Sequence, residues 1–589
     1  MERSSVLRWG VIAIAILLFY KFGWPLISGQ SHDKGQVTAA VEAPQISPPG
    51  FAPDRIDAAG TPPPPEGELC TIKGLRYEAQ LSSRGAAVTH YYLTDANYER
   101  SQAHDLSTTP DHERWRDLRT TFRGKDAESQ VKYDRFNWKL ERGEGPAADK
   151  SCKFTYEDED VRIVKTISAN PTRPFEMNVE TTVTNLASAP KRHQLTLATF
   201  AFRKNSEIKG SLGRVSPFST ELSCAGGKDV VRKGKDDFKG GMFTVAGVDR
   251  YAAVNSHYFS QAMVPEPDAT NSGPTTVVSD APTCGLLSTP LALDPPDPDD
   301  AAAIYEAKLI YPPKELAPQA SATYRDIAFY GPKEREVLAH AAGGGNVHLG
   351  DLLNLGFFAP VANVLVKILD FIHDHITFGN WGLAIIVMTI ALRSLLFPLT
   401  YKSIRTTIAM RRLKPEVDAL NKKFADDAQA KNLAMMELWK KHGVNPFGGC
   451  LPQLVQMPVW FAMYTTLQTA VEMYHTKFLW FSDLSAPDKF YILPLLLGFF
   501  MIVQQRIVPQ QGMDPMQAKM MMYMLPAVFT VMMLFLPAAL GVYMLTNSLL
   551  GIGQQLAVER IAPRSKDPKG IIVTEKGSPG NKKAKAAAS

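Results

Sequence analysis

Cysteine is scarce in this chain, five among 589 residues, and no CxxC, HExxH or Cys/His ligand spacing is present. A metal centre and a disulfide-dense scaffold both lack support, and no cofactor is expected. GxSxG, the phosphate-binding P-loop and the Gly-rich dinucleotide fingerprint are missing as well. No nucleophile and base fall together within an apolar segment, so an enzyme is not expected. Internal repeats of the kind that build transporters are not visible. The apolar runs after residue 380 are also nearly free of acid: Glu472 lies at the far end of its run, and no Asp or Glu lies well inside any other.

What is present divides the chain. Long apolar runs sit at residues 11–20 and after 380, while the stretch between them is polar and rich in Pro and Gly, as for a soluble domain between membrane segments. The first run, VIAIAILLFYKFGWPLIS, follows Arg3 and Arg8 and reads either as a cleaved signal peptide or as a retained anchor. Its length, its Phe-Gly-Trp-Pro ending and the lack of a small-x-small site directly after it favour an anchor over residues 1–28, with Lys21 snorkelling. Residues 29–68, with four consecutive prolines at 62–65, form a tether too poor in apolar groups to order itself. From 69 to 345, short alternating runs such as VRIVKTIS, FEMNVETTVTN and HQLTLATFAF, broken by turn residues, predict a large antiparallel β-sandwich. Its scattered histidines read as surface or core groups. Cys70, Cys152, Cys224 and Cys284 all fall here; four cysteines permit three pairings, so one or two disulfides are open if the domain faces an oxidising space.

Residues 346–378 contain an apolar run at helical spacing that ends in Lys367, Asp370, His373, Asp374 and His375. An amphipathic helix in the outer interface is the preferred reading, a span the alternative. Spans are then expected at about 381–400, 450–473, 490–507, 521–539 and 541–558, the last two split near Pro537. Between the first two, residues 401–445 predict a helical hairpin: Ile404, Ile408, Leu413, Val417, Leu420 and Phe424 mark one face, and Leu433, Met436 and Trp439 a second, with Pro415 kinking the first arm. Residues 402–441 carry ten Lys/Arg against five Asp/Glu, and 559–589 eight against three, which places both on the cytoplasmic side. The tail, 561–589, reads either as a solubilising segment or as one drawn to the ribosome or to anionic lipid. The predicted whole is a polytopic α-helical membrane protein of six spans with both termini inside, a large extracytoplasmic β-sandwich and a cytoplasmic helical hairpin.

Arg393 lies within WGLAIIVMTIALRSLLFPLT, about twelve residues and so ~18 Å of helix rise from Trp381. A cation at that depth costs at least ~2.5–3.5 kcal/mol unless it meets protein or water. With no carboxylate available in the later spans, Arg393 is expected to line a hydrated cavity rather than a salt bridge. Thr389 is one turn before it; Gln453 and Gln456 share a face of the next span; Thr530, Tyr543, Thr546, Asn547 and Ser548 offer further polar groups from the last two. Singly each serves as interhelical glue, and collectively they suggest a groove with a polar floor. Seventeen of 21 methionines follow residue 380, either filling gaps or forming an adaptable apolar surface.

The segments NWGLAIIVMTIALRSLLFPLT, the basic hairpin, NPFGGCLPQLVQMPVWFAMY and DPMQAKMMMYMLP closely resemble the YidC-type membrane insertases of the YidC/Oxa/Alb family over about residues 346–560. YFSQAMVP and FYGPKEREVL resemble its Gram-negative form more loosely. The resemblance implies insertion and folding of inner-membrane proteins, alone or with the Sec translocon, from a groove open to cytoplasm and lipid. It assigns Arg393 to the groove arginine, Thr389 to the polar residue one turn before it, and the hairpin to a substrate-receiving element. Tyr543 is followed by Met544, where the resemblance leads one to expect two adjacent aromatics. Implied partners are nascent membrane proteins, Sec translocon components, membrane lipids and, through the basic hairpin and tail, the ribosome; sequence-specific nucleic acid is not among them. In this reading an acidic extracytoplasmic segment is drawn into the groove by Arg393 and the apolar segment then passes into lipid by hydrophobic transfer, without ATP. A channel or transporter is the competing class.

Overall fold

The structure is a computed structural model that describes residues 66–95, 98, 105–123, 130–131, 133–143, 145, 148–210, 215–238, 241–266, 275–277, 280–292, 301–344, 347–424, 427–444, 451–507 and 515–561. The expected anchor, most of the tether, Cys450 and the basic tail lie outside the described residues.

Alternation along the strands builds the first part of the molecule. In Val161–Ala169, the side chains of Val161, Ile163, Lys165 and Ile167 point inward and those between them outward, the two-residue period of a strand with one face in a core. Among the described residues this strand belongs to a ten-stranded sheet ordered Asp229–Lys233, Glu221–Gly226, Tyr251–Asn255, Phe259–Pro265, Ser321–Pro332, Glu176–Asn185, Val161–Ala169, Ser151–Glu157, Lys139–Arg142. The tenth strand, Thr275–Val277, runs parallel to Ser321–Pro332, while the other pairings are antiparallel. A six-stranded sheet, centred on Leu195–Lys204 and Ala302–Ile310, packs against it. The sandwich expected from the sequence is therefore present, accompanied by a three-stranded and a two-stranded sheet.

The cysteines settle the pairing left open by the sequence. Cys70 joins Cys152 and Cys224 joins Cys284. The first ties the three-stranded sheet to the large one, and the second ties the two large sheets to each other.

The chain leaves the β part through a segment that is gripped along its length. Arg76 donates to both oxygens of Glu334 at 2.8 and 2.7 Å. The Ala342 N–H, at a residue with positive φ, donates to the buried Glu176 carboxylate at 2.6 Å. Arg250, itself buried, donates to the carbonyls of Val347 and His348 at 2.9 and 3.1 Å and pairs with Asp351.

Nine helices of the described residues follow: α1 Ala359–His375, α2 Trp381–Leu395, α3 Phe397–Arg412, α4 Lys414–Lys423, α5 Ala428–Lys441, α6 Leu451–Thr469, α7 Ile492–Ile507, α8 Pro515–Met533 and α9 Ala538–Ile561. α2 opens on Asn380, whose side chain accepts from Leu383 N–H, and α5 on Asp427, which accepts from the N–H groups of Gln429 and Ala430, both ordinary N-caps. A core of Leu365, Leu369, Ile385, Met388, Met463, Leu467, Leu497 and Leu540 holds α1, α2, α6, α7 and α9 together. Outward-facing Phe371, Leu395, Leu495, Phe499, Val528 and Val531 leave the bundle with an apolar exterior, an arrangement that water would penalise and lipid would not.

Several boundaries differ from the sequence reading. The span expected over 381–400 stops at Leu395 and turns by 64° into α3, which begins four residues before the expected hairpin. Pro398, near the start of α3, has no N–H to continue α2. The expected first arm of the hairpin is two helices, α3 and α4, meeting at Leu413, with Pro415 in the first turn of the second. α4 and α5 lie together through Val417, Met435 and Leu438, and His442 reaches Glu416 at 3.4 Å. The pair expected near Pro537 is α8 ending at Met533 and α9 beginning at Ala538. Among the described residues no single helix is long and apolar enough to cross a membrane alone; α2 and α3 reach that criterion only together, as a bent pair.

Candidate functional site

α2 and α9 pack along each other, and helical spacing decides which groups meet. Thr389 and Arg393 are one turn apart on α2; Tyr543, Asn547, Gly551 and Gln554 follow one another at three- and four-residue steps on α9. Arg393 Nε donates to Asn547 Oδ1 at 2.6 Å, and Nη2 donates to the Asn547 backbone carbonyl at 3.0 Å. Nη1 makes only a long contact, 3.5 Å, to Gln554 Oε1, whose amide nitrogen returns a 3.4 Å bond to the Arg393 carbonyl. From α6, Gln456 Nε2 donates to the same Asn547 Oδ1 at 3.0 Å. Ser548 Oγ and Gln504 Oε1 of α7 lie 3.2 Å apart.

Glycine supplies the room. A Cβ on Gly551 would come within 3.3 Å of both Arg393 Nη2 and Gln504 Nε2, so a side chain there would press on the guanidinium. Among the described residues every group that accepts from Arg393 is a neutral amide or backbone carbonyl. The cation is oriented without being cancelled.

Of the residues expected from the sequence, Arg393, Gln456 and Asn547 come together directly. Thr389 and Tyr543 flank them but are buried, at 1% and 2% exposure, and the Thr389 hydroxyl donates to the Ile385 carbonyl at 2.6 Å. Thr530 donates to the Pro526 carbonyl at 2.8 Å and packs on Gly498 of α7, an interhelical contact rather than part of the Arg393 cluster. Met544 packs against the bundle core, and Thr546 is half-buried beside Asn547. Gln453 lies in the first turn of α6, where its side chain is outside the described residues.

Gln504, Gly551 and Gln554 were not singled out by sequence. Gln504 and Gln505 lie at the end of the span expected over 490–507, where nothing in the apolar pattern marks them as partners of the next helices. Gly551 and Gln554 could have been found by extending the Asn547 face by one and two turns, since they fall at i+4 and i+7.

Family comparison accounts for most of the chain. The model for the YidC periplasmic domain matches residues 69–368, just over half of the chain, and the model for the 60Kd inner membrane protein matches residues 371–566. This chain belongs to the YidC family, whose members are inner-membrane proteins with a β-rich periplasmic domain and a helical C-terminal part. The membrane protein insertase YidC of Anaeromyxobacter dehalogenans is 39% identical over 57% of this chain and 56% of its own length. That of Citrifermentans bemidjiense is 42% identical over 43% of this chain and 46% of its own. The chain thus spans about half the length of the curated relatives it matches. Among solved structures, an active YidC insertase with its first transmembrane domain resolved is 17% identical, with 84% of this chain and 94% of that one covered at a TM-score of 0.35.

Proposed function

We propose that this protein inserts integral inner-membrane proteins into the bilayer and helps them fold, alone or with the Sec translocon, through a hydrated groove at Arg393. The observation that carries the reading is the uncompensated guanidinium: a permanent cation between apolar helices, whose acceptors among the described residues are neutral. Such a group is stable only if water reaches it, and a wet cation inside the membrane shortens the unsolvated path of an acidic segment. The apolar exterior of α2, α7 and α8 then gives the client's apolar segment a route into lipid.

In this reading the β-rich part stands in the periplasm and the bent α2–α3 pair carries the chain from the membrane to the hairpin, which stands in the cytoplasm with both termini. Support comes from the basic balance of 402–441 and from Arg411, at the end of α3, which pairs with Glu559 at 3.1 Å near the end of α9 and so gathers basic and polar groups at one end of the bundle. Arg393, Gln456, Thr546 and Asn547 face the client along the groove and Gln453 extends it, while the buried Thr389 and Tyr543 pack beside the guanidinium and Thr530 and Met544 support the helices that form the walls. Clients are nascent membrane proteins, and the ribosome docks on the basic hairpin and tail. The family membership favours insertion over a channel.

The test is insertion of a small single-span client with an acidic extracytoplasmic tail by Arg393→Ala and Arg393→Lys proteins in proteoliposomes. Ala is expected to slow insertion about tenfold, the factor that corresponds to ~1.4 kcal/mol, and Lys to restore most of it. Full insertion by the Ala protein would overturn the electrostatic step.

A further inference from the structure

We propose that Asn547 is the positioning residue of the groove: it holds the Arg393 guanidinium in place while leaving its charge unpaired, and so makes the groove selective for acidic client segments. The proposal deepens the insertase reading and rests on it.

The geometry gives Asn547 a role no other described residue shares. Its Oδ1 takes Arg393 Nε at 2.6 Å and Gln456 Nε2 at 3.0 Å, and its backbone carbonyl takes Nη2 at 3.0 Å. Arginine nitrogens only donate, so the atom facing Nε is an acceptor, and the amide orientation follows without ambiguity. Gln456 from α6 holds the same oxygen, which leaves the Asn547 side chain little freedom to turn away. Two of the three guanidinium nitrogens are thereby fixed to α9. Nη1, with only the 3.5 Å contact to Gln554, is the edge left for an incoming carboxylate.

The choice of residue type carries the inference. Aspartate has the same shape as asparagine and would accept the same bonds more strongly. It would also cancel the cation it holds, because two opposite unit charges at this distance attract far more strongly than an amide and a cation. An acid here would improve the fit and remove the attraction for acidic segments. An amide positions and preserves. Gly551, one turn along, lets the guanidinium lie close enough to α9 for both bonds to form.

The experiment uses the full chain in proteoliposomes and one single-span client in two forms, with an acidic tail and with each tail Asp replaced by Asn. Parent, Arg393→Ala, Asn547→Asp and Asn547→Ala proteins are compared at equal amounts. Asn547→Asp is expected to slow acidic-tail insertion about tenfold, to the level of Arg393→Ala, while neutral-tail insertion stays within about twofold of the parent. Asn547→Ala, which frees the cation without cancelling it, is expected to lose roughly two- to threefold and only with the acidic tail. Equal loss with both tails would mark a merely structural residue, and parental rates with both would remove the role; either overturns the proposal. If the Asp protein does not accumulate, Asn547→Ala decides, and absence of an acid-specific loss overturns it. Failure of the insertase reading appears separately, as no client insertion by the parent protein above that of protein-free liposomes, and full acidic-tail insertion by Arg393→Ala would overturn the electrostatic step on which the Asn547 role depends.

Discussion

Arg335 and Glu472 meet at the junction of the β-rich and helical parts: Nη1 lies 3.4 Å from Oε2, and the Arg335 backbone N–H donates to Oε1 at 3.1 Å. Arg335 Nη2 also donates to the Thr466 carbonyl at 3.2 Å. Around them, His257 Nε2 bonds the Gln468 carbonyl at 2.8 Å, and Tyr474 packs on Tyr258 and Phe259. Val471 and Tyr474 are part of the same buried core as the β strands, so the two parts share a hydrophobic interior and are not joined by a tether alone.

Replacing Glu472 with Ala leaves Arg335 largely enclosed with the more distant Asp370, 4.0 Å from Nη1, as its acid. The docking is expected to weaken by about 2–3 kcal/mol, less than for a fully buried pair because both groups keep some exposure. Hydrogen exchange should then quicken in residues 335–340 and 471–476 while the centre of the ten-stranded sheet stays protected. Unchanged exchange at both segments would refute the staple.

The disulfides should matter for the β-rich part and not for the groove. Cys70–Cys152 and Cys224–Cys284 close loops of 82 and 60 residues by sequence separation, and in the chain-entropy model each contributes about 4 kcal/mol. Reduction is expected to lower the melting temperature of the β part by more than ten degrees or so, given a shift of a few degrees per kcal/mol. Thiol titration with an unaltered melt would contradict this.

His193 makes the β part sensitive to acid. It is buried, its Nε2 lies 2.7 Å from the Tyr324 hydroxyl, and burial, with Lys314 adding to it, pushes the ring pKa down to about 3. The unfolded ring titrates near 6.5, so between about pH 6.5 and 3 the unfolded state binds the extra proton and stability is lost as pH falls. Asp117 and Asp326 run the other way: burial raises both to about 7, and their protonation favours the folded state as pH falls from 7 to 4. The His193 contribution is therefore read as a difference. A His193→Gln protein should lose less stability than the parent on going from pH 7 to 5, by about 1 kcal/mol per pH unit below 6.5. Denaturant midpoints that move in parallel for both proteins would argue against it.

Two glycines on α9 separate space from sequence. Gly551 faces the guanidinium, whereas nothing lies within 4 Å of a Cβ on Gly553. Gly553→Ala is expected to insert clients at the parental rate and to stabilise the helix by roughly 0.5–1 kcal/mol. Gly551→Leu should displace Arg393 and slow acidic-tail insertion about tenfold. If the two behave alike in the insertion assay, the close approach at Gly551 has no functional weight.

Legibility in the sequence followed periodicity and solvation. The two-residue alternation of VRIVKTIS announced a strand with one buried face, and its register is what the sheet displays, although Lys165 at an inward position, bonded to the Leu118 carbonyl, could not be anticipated from type alone. Thr389 and Thr530 were read as groove polar groups, yet a threonine in a helix has the carbonyl four residues back within reach and bonds it when no better partner faces it. The span expected over 381–400 runs through Pro398 and misses the 64° turn after Leu395, and even read as a helix stop a missing N–H ends a hydrogen-bond ladder without saying in which direction the next helix leaves.

What the sequence determined by itself was the division into a β-rich stretch and apolar helices, and the need for Arg393 to meet something other than lipid, because an ionised side chain costs too much in hydrocarbon wherever the helix is packed. Which groups answer that need was decided by tertiary structure alone. Asn547 and Gln554 of one helix reach the guanidinium of another, Gln456 of a third braces Asn547, and Cys70 reaches Cys152 rather than another partner, because three-dimensional packing brings together helices and strands that no spacing along the chain relates.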